Sequence, residues 1–243
     1  MKKIITITLC NLTLITSALF AMHAPGTPLS QITFGRAGVL PVTQFQKPDP
    51  CNPRKKKWVK YVVLAREARG PDKNAYDAFA GRREKGQVPV QTAAMEFWEE
   101  GILYDTLSWN RAKTEAYIDL RAGNTELVLV TEKSVLYITN FSTKDVNRWR
   151  TAFYPALNRA RQPKFTEKDR IAVVRWDELK NSIRNAPKET DVKLMARVTD
   201  PKTKKDRKHR EVITLRPILV KELRGYFKGW KYNTGKNPKI RYY

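Results

Sequence analysis

Residues 81–102 read GRREKGQVPVQTAAMEFWEEGI, a basic loop followed by a run of good helix formers. The good helix formers and the absence of glycine predict a helix over residues 89–100. Apolar residues recur in it at helical spacing and make one buried stripe. Glu96, Glu99 and Glu100 are spaced i, i+3 and i+4, which brings three carboxylates onto one face within about one turn.

This crowding of carboxylates is the first feature that needs a chemical explanation. Like charges at these spacings destabilise a helix by a few tenths of a kcal/mol per pair, and a divalent cation removes the repulsion. Carboxylate oxygen is the ligand that Mg²⁺ and Mn²⁺ prefer. The pattern therefore makes the three glutamates candidate metal ligands. A solvated acidic face is the alternative explanation.

The loop and helix together resemble the Nudix box, the signature of the Nudix hydrolases. The box has the pattern G-x5-E-x7-R-E-U-x-E-E-x-G-U, in which U is apolar. Counting from Gly81, Glu96 falls on the first helix glutamate, and Glu99 and Glu100 fall on the paired glutamates. With similar strand patterns before and after the box, the resemblance covers about residues 57–228.

The sequence departs from the box at three places. Gln87 stands where the pattern has Glu, and Met95 stands where it has Arg. The first change removes a possible carboxylate ligand, and the second removes a cation that holds a glutamate in place. The ending, residues 99–102, is one residue short of E-E-x-G-U. These changes predict a weakened site that keeps its three central glutamates.

The resemblance implies both a fold and a reaction. The fold is α+β, an α/β/α sandwich with a mixed sheet and flanking helices. The reaction is hydrolysis of a diphosphate linked to another moiety, commonly a nucleoside, with Mg²⁺ or Mn²⁺ as cofactor. The resemblance implies that Glu96, Glu99 and Glu100 bind the metal and that Glu99, Glu100 and Glu167 are catalytic. It also implies that Arg82, Arg83 and Lys85 contact the substrate. An ordinary loop glutamate at 167 and exposed charges at the three cations are the alternatives.

Outside the box, short apolar runs alternate with helical patterns. Strands are predicted over residues 58–65, 116–120, 126–130, 135–141 and 171–176, the third and fourth as a hairpin. Helices are predicted over residues 144–160, 177–183 and 215–227. This order predicts an α+β or α/β domain rather than a helix bundle or a β-sandwich.

The N-terminal residues have the pattern of a signal peptide, with two lysines, an apolar run and small residues up to about position 21. The chain is therefore predicted to be secreted or periplasmic, with a signal of bacterial type, and to lack a transmembrane segment. We divide it into a signal peptide (residues 1–21), an irregular proline-rich extension (22–56), a Nudix-like domain (57–228) and a basic tail (229–243). Removal of the signal leaves Cys51 as the single cysteine, which excludes an internal disulfide.

The formal net charge is +23, of which the signal peptide contributes two. The basic residues cluster at Arg54–Lys57 and Lys202–Arg210, where solvated loops and a phosphate-binding surface are both consistent with the pattern.

Three functions follow from these patterns. The first is an exported hydrolase that acts on a small nucleoside diphosphate derivative. The second is a catalytically impaired Nudix-fold module that binds nucleotides or another polyanion through its basic surface. The third is a basic nucleic-acid or membrane-surface protein whose match to the box is accidental.

Overall fold

The computed structural model describes residues 31–124, 127–131, 133–199, 206–228 and 240–242. The strands are β1 (Arg36–Asp49), β2 (Asn52–Glu67), β3 (Tyr76–Asp77), β4 (Phe79–Arg82), β5 (Leu127–Val130), β6 (Ser134–Asn140), β7 (Lys168–Arg175), β8 (Lys193–Thr199), β9 (Asp206–Thr214) and β10 (Ile240–Tyr242). The helices are α1 (Pro89–Glu100), α2 (Leu103–Thr106), α3 (Arg111–Asn124), α4 (Thr143–Arg159), α5 (Trp176–Asn185) and α6 (Pro217–Lys228), with short 3₁₀ turns at Pro163–Thr166 and Glu189–Asp191.

The strands form one mixed sheet in the order β10-β5-β6-β1-β2-β7-β8-β9. β1 is parallel to β6 and β10 is parallel to β5, whereas the other pairs are antiparallel. Two short strands lie off this path, since β3 pairs with β2 and β4 pairs with β1. β4 ends at the loop that leads into α1, so the sheet itself positions the loop and helix of the predicted site.

Alternation along the strands divides the core into two layers. In β2, Tyr61, Val63 and Ala65 face one layer, and Val62 and Leu64 face the other. Helices α1, α3 and α4 cover the first face, and α5 and α6 cover the second. The predicted α+β fold, a mixed sheet between two layers of helices, is confirmed.

The irregular extension predicted for residues 22–56 is wrong from residue 36 onward. β1 runs through the middle of the sheet there, and its Val39, Leu40 and Val42 are fully buried. Pro41 is tolerated because it lies between the part of β1 that pairs with β4 and the part that pairs with β2. Pro50 lies in the β1–β2 turn, and Pro48 and Pro53 lie in the ends of β1 and β2 that adjoin it.

Residues 116–120 belong to a helix instead of the predicted strand. They lie inside α3, whose buried Thr114 and Ile118 are four residues apart, the spacing of one helix face. Asn110 caps this helix by accepting a hydrogen bond from the Lys113 amide at 2.8 Å.

The β8–β9 hairpin was not predicted, although Leu194, Ala196 and Val198 of β8 alternate as buried residues between exposed ones. The basic cluster 202–210 enters β9 at residue 206, and its residues 202–205 lie outside the described part. Residues 240–242 of the predicted tail form β10, and the predicted signal peptide also lies outside the described residues.

The other predicted elements are confirmed within three residues at each end, except that β2 begins at Asn52, six residues before the predicted start at Trp58. α1 spans Pro89–Glu100 as predicted, and β5 and β6 form the predicted antiparallel hairpin. Among the described residues, no helix combines the length and the hydropathy needed to span a bilayer.

Candidate functional site

The loop before α1 and the helix itself are joined by two of the predicted glutamates. The Glu96 carboxylate packs against Gly81, where an added Cβ would lie 2.2 Å from the carboxyl carbon. The amide of Ala80 donates to Glu100 Oε2 at 2.8 Å. A larger residue at position 81 would therefore displace the Glu96 carboxylate.

Glu100 is buried and its second oxygen is also engaged. Lys168, the first residue of β7, is completely buried and places its ammonium 3.2 Å from Glu100 Oε1. Burial raises the pKa of Glu100 well above its usual value, and the attraction of Lys168 opposes only part of that rise. Burial alone lowers the pKa of Lys168, but Glu100, Asp77 and Glu67 outweigh it and the net pKa is raised.

Lys168 connects the site to a network of alternating charges in the interior. Its ammonium also donates to Glu67 at the end of β2. Glu67 accepts from Arg216 at 3.1 Å, and Arg216 donates to Asp77 at 3.0 Å. Asp77 also accepts from Arg36 at 2.9 Å. Because these charges are paired, the network holds β1, β2, β3 and β7 together at the base of the site.

Glu99 and Glu167 lie nearer the surface, and each is paired with an exposed cation. Lys164 Nζ lies 2.7 Å from Glu99 Oε1. Arg69 Nη2 donates to Glu167 Oε1 at 3.0 Å. Exposed pairs of this kind contribute about 0 to 1 kcal/mol, so both carboxylates are easily released to another cation.

Glu96 lies between these groups and has a strongly perturbed acidity. Burial, followed by repulsion from Glu99 and Glu167, raises its pKa from the usual 4.5 to about 7. Glu99 and Glu167 are therefore close enough to Glu96 to oppose its ionisation. Excess negative charge of this kind is what a bound divalent cation removes.

We expect Glu96→Gln to stabilise the protein at pH 8 by up to about 3 kcal/mol. A carboxyl whose folded pKa is raised stabilises the fold below its unfolded pKa and loses that contribution as pH rises through the folded value. The difference should be absent near pH 4 and fully developed above pH 7, as urea unfolding at several pH values can measure. Glu189→Gln, outside the cluster, is the control, and equal stability of variant and wild type at pH 8 contradicts the assignment.

The two departures from the Nudix box contact each other. Gln87 and Met95 are both buried, and Gln87 Nε2 lies 3.6 Å from Met95 Sδ. Gln87 also donates to Glu84 at 2.9 Å and accepts from Thr92 at 2.7 Å. The pattern's Glu and Arg carry opposite charges at these two positions, so the chain replaces one charged pair with one neutral pair. The departures leave Glu96 and Glu99 unaltered.

The turn that follows α1, at the end of the box, has a β-branched residue in the left-handed conformation. Gly101 has φ −83°, and the left-handed residue is Ile102 at φ 52°. Ile102 is fully buried, and a β-branched residue is rare in this conformation. The apparent shortening of the box thus reflects an isoleucine at the turn, where the pattern has glycine.

The three side chains predicted to contact phosphate differ in whether they already have partners within the protein. Arg83 donates to the carbonyl of Gln87 at 2.9 Å, and its guanidinium lies over the Phe34 ring at 4.9 Å. Arg82 and Lys85 are exposed and form no ion pair with any described residue. The structure thus leaves Arg82 and Lys85 available and gives Arg83 a structural role.

An aromatic cluster adjoins Glu99. Trp98, Tyr104 and Phe165 contact one another with ring centroids 4.9 to 6.0 Å apart, and Tyr104 is 39% exposed. Lys164 lies over the Trp98 and Phe165 rings. This surface offers π-faces within reach of the same lysine that pairs with Glu99.

The residues fit a divalent cation in part. Glu96, Glu99 and Glu167 supply hard oxygen donors, and Glu99 and Glu167 repel Glu96, whereas the two oxygens of Glu100 already contact the Ala80 amide and the Lys168 ammonium. Within the described ranges, no three His, Cys, Asp or Glu side chains are placed to share a metal ion. A cation shared by these carboxylates would require Lys164 to release Glu99 and Arg69 to release Glu167.

Sequence reasoning missed the buried cation of the site. Lys168 lies next to the predicted Glu167 in a charged run that reads as a loop, and no local pattern distinguishes it from a solvated lysine. Glu67 and Asp77 were missed for the same reason.

No family profile matches the sequence, and no curated protein matches it. Among solved structures, the chain is similar to a MutT/Nudix family protein from Listeria innocua, with 14% identity, 60% of this chain and 82% of that chain covered, and a TM-score of 0.32.

Proposed function

We propose that this protein is an exported hydrolase that cleaves the phosphoanhydride bond of a nucleoside diphosphate derivative with the help of Mg²⁺ or Mn²⁺. The observation that supports the proposal is the packing of α1 against Gly81. The Glu96 carboxylate contacts Gly81 there and lies close to Glu99 and Glu167. The export part rests on the sequence of residues 1–21.

Each side chain has a distinct role in this proposal. Glu96, Glu99 and Glu167 hold the cation, which when bound lowers the pKa of water and offsets charge on the phosphates. Arg82 and Lys85 contact phosphate oxygens. A cation on Glu99 would displace Lys164, which would stay near the aromatic cluster of Trp98, Tyr104 and Phe165. Tyr104, the exposed ring of this cluster, would stack on the nucleoside.

Glu100 has a structural role in this account. Its carboxyl group joins the Ala80 amide to Lys168 and keeps the loop closed on the helix. It was predicted as a ligand and a catalytic residue because of its place in the box, and the proposal transfers those roles to Glu96, Glu99 and Glu167.

The test is product release from nucleoside diphosphate derivatives, dinucleoside polyphosphates and nucleoside triphosphates, with Mg²⁺ and then Mn²⁺. Glu99→Gln removes a metal oxygen without changing the buried network, so we expect kcat to fall by about 100-fold at unchanged stability. Glu189→Gln, a carboxylate outside the site, should keep full activity.

Two outcomes contradict the proposal. Turnover that is independent of metal excludes the assigned role of the carboxylates. Absence of turnover with every substrate and metal, together with unaltered thermal stability on adding Mg²⁺ or Mn²⁺, favours the second function, a Nudix-fold module that binds nucleotides or another polyanion without cleaving them.

A further inference from the structure

The β1–β2 hairpin extends beyond the rest of the sheet. Residues 44–58, which we call the basic ribbon, pair with each other up to the turn between Asp49 and Asn52. The pairing of β1 with β6 ends at Val42, and the pairing of β2 with β7 begins at Tyr61. The basic ribbon therefore has no third strand among the described residues, and residues 50–58 are all exposed.

The ribbon carries five cations and one carboxylate. The cations are Lys47, Arg54, Lys55, Lys56 and Lys57, and the carboxylate is Asp49. None of these cations forms an ion pair with a described residue. Alternation along a strand places Arg54 and Lys56 on one side and Lys55 and Lys57 on the other, so both sides of the ribbon are positively charged.

One cross-strand pair is unfavourable in the free protein. Lys57 lies directly opposite Lys47 in the register of the two strands. Like charges at opposed positions destabilise a sheet, and an anion bound between them removes the repulsion. This pairing indicates that the ribbon is adapted to a negatively charged partner.

An exposed indole completes the surface. Trp58 is 61% exposed and lies on the same side of β2 as Arg54 and Lys56. Exposed large aromatics beside cations suit the stacking of unpaired bases, which contributes affinity regardless of sequence.

We propose that the basic ribbon binds single-stranded nucleic acid, with its cations on the phosphates and Trp58 stacked on a base. The run from Arg54 to Lys57 extends for about 10 Å, which is longer than one phosphate group and fits a polymer. The turn, Pro50 and Cys51, carries no large apolar side chain that could enter a bilayer, so a membrane surface is disfavoured. This binding is independent of the proposed hydrolysis.

The test is fluorescence anisotropy of a labelled single-stranded oligonucleotide of roughly 20 bases, titrated with the full chain at several salt concentrations. Neutralising the run should weaken binding at least tenfold at about 100 mM salt and reduce the slope of log K against log salt by about 3, since each lost phosphate contact removes about 0.7. The variant carries Arg54→Gln, Lys55→Gln, Lys56→Gln and Lys57→Gln.

A matched control separates this surface from the overall charge. The control removes four exposed cations from α5, β8 and the segment between them, and binding should change by less than about twofold. It carries Arg184→Gln, Lys188→Gln, Lys193→Gln and Arg197→Gln, all exposed. Trp58→Ala keeps every charge and should weaken binding about tenfold without altering the salt slope.

Three results overturn the proposal. An equal loss in the ribbon and control variants assigns binding to diffuse charge. Unchanged affinity of Trp58→Ala excludes base stacking. Tighter binding to vesicles containing phosphatidylserine than to the oligonucleotide, with competition between the two, assigns the ribbon to a membrane surface instead.

Discussion

Lys168→Met should destabilise the protein by about 3 to 5 kcal/mol in urea unfolding at pH 7, because it removes a buried cation that contacts buried Glu100. Methionine fills much of the same volume, so the loss reflects the lost partner of buried Glu100 more than lost packing, whereas Glu67 keeps its pair with Arg216. Removing one member of a buried pair leaves the other desolvated and uncompensated, which costs far more than the intact pair contributes.

Lys164→Met is the matched control for this prediction. Lys164 also pairs with a glutamate of α1, but its side chain is 45% exposed, so its loss should cost less than about 1 kcal/mol. The stability lost in Lys168→Met should also become smaller as pH falls from 7 to 5, because burial raises the pKa of Glu100 and this carboxyl loses its charge over that range. An equal deficit at both pH values points to packing and contradicts the assigned role.

Gly38→Ala should destabilise the protein by about 3 kcal/mol and also disturb the site. Gly38 lies directly opposite Ala80 in the β1–β4 pair, and an added Cβ would lie 2.0 Å from the Ala80 Cβ and 2.6 Å from the Phe79 carbonyl oxygen. The strands must move apart to admit it. Because β4 carries Gly81 and the Ala80 amide, this movement also displaces Glu96 and Glu100.

Gly35→Ala is the control, since a Cβ there meets only the Lys133 carbonyl oxygen at an ordinary 3.6 Å. Its stability should stay within about 0.5 kcal/mol of wild type in the same urea unfolding. If the two alanine variants are equally stable, the close approach of β1 and β4 is not needed.

Local patterns in the sequence were sufficient for the helix of the site. Residues 89–100 are good helix formers, and the spacing of Glu96, Glu99 and Glu100 brings them to one face whatever surrounds them. The density of β-branched and aromatic residues over residues 58–65 likewise predicted a buried strand. These features depend on residues within three or four positions along the chain, so they can be inferred from the sequence without knowledge of the tertiary structure.

The long-range partners of the same residues could not be inferred in this way. β1 is a central strand despite its prolines because β4, β2 and β6 pair with it along different stretches. Lys168 is buried because β7 pairs with β2 and brings it beside Glu67 and the end of α1. The sequence by itself determined which carboxylates share a helix face. Only the tertiary structure decided which of these carboxylates is paired with a buried lysine, because the pairing requires strands from distant parts of the chain to lie side by side.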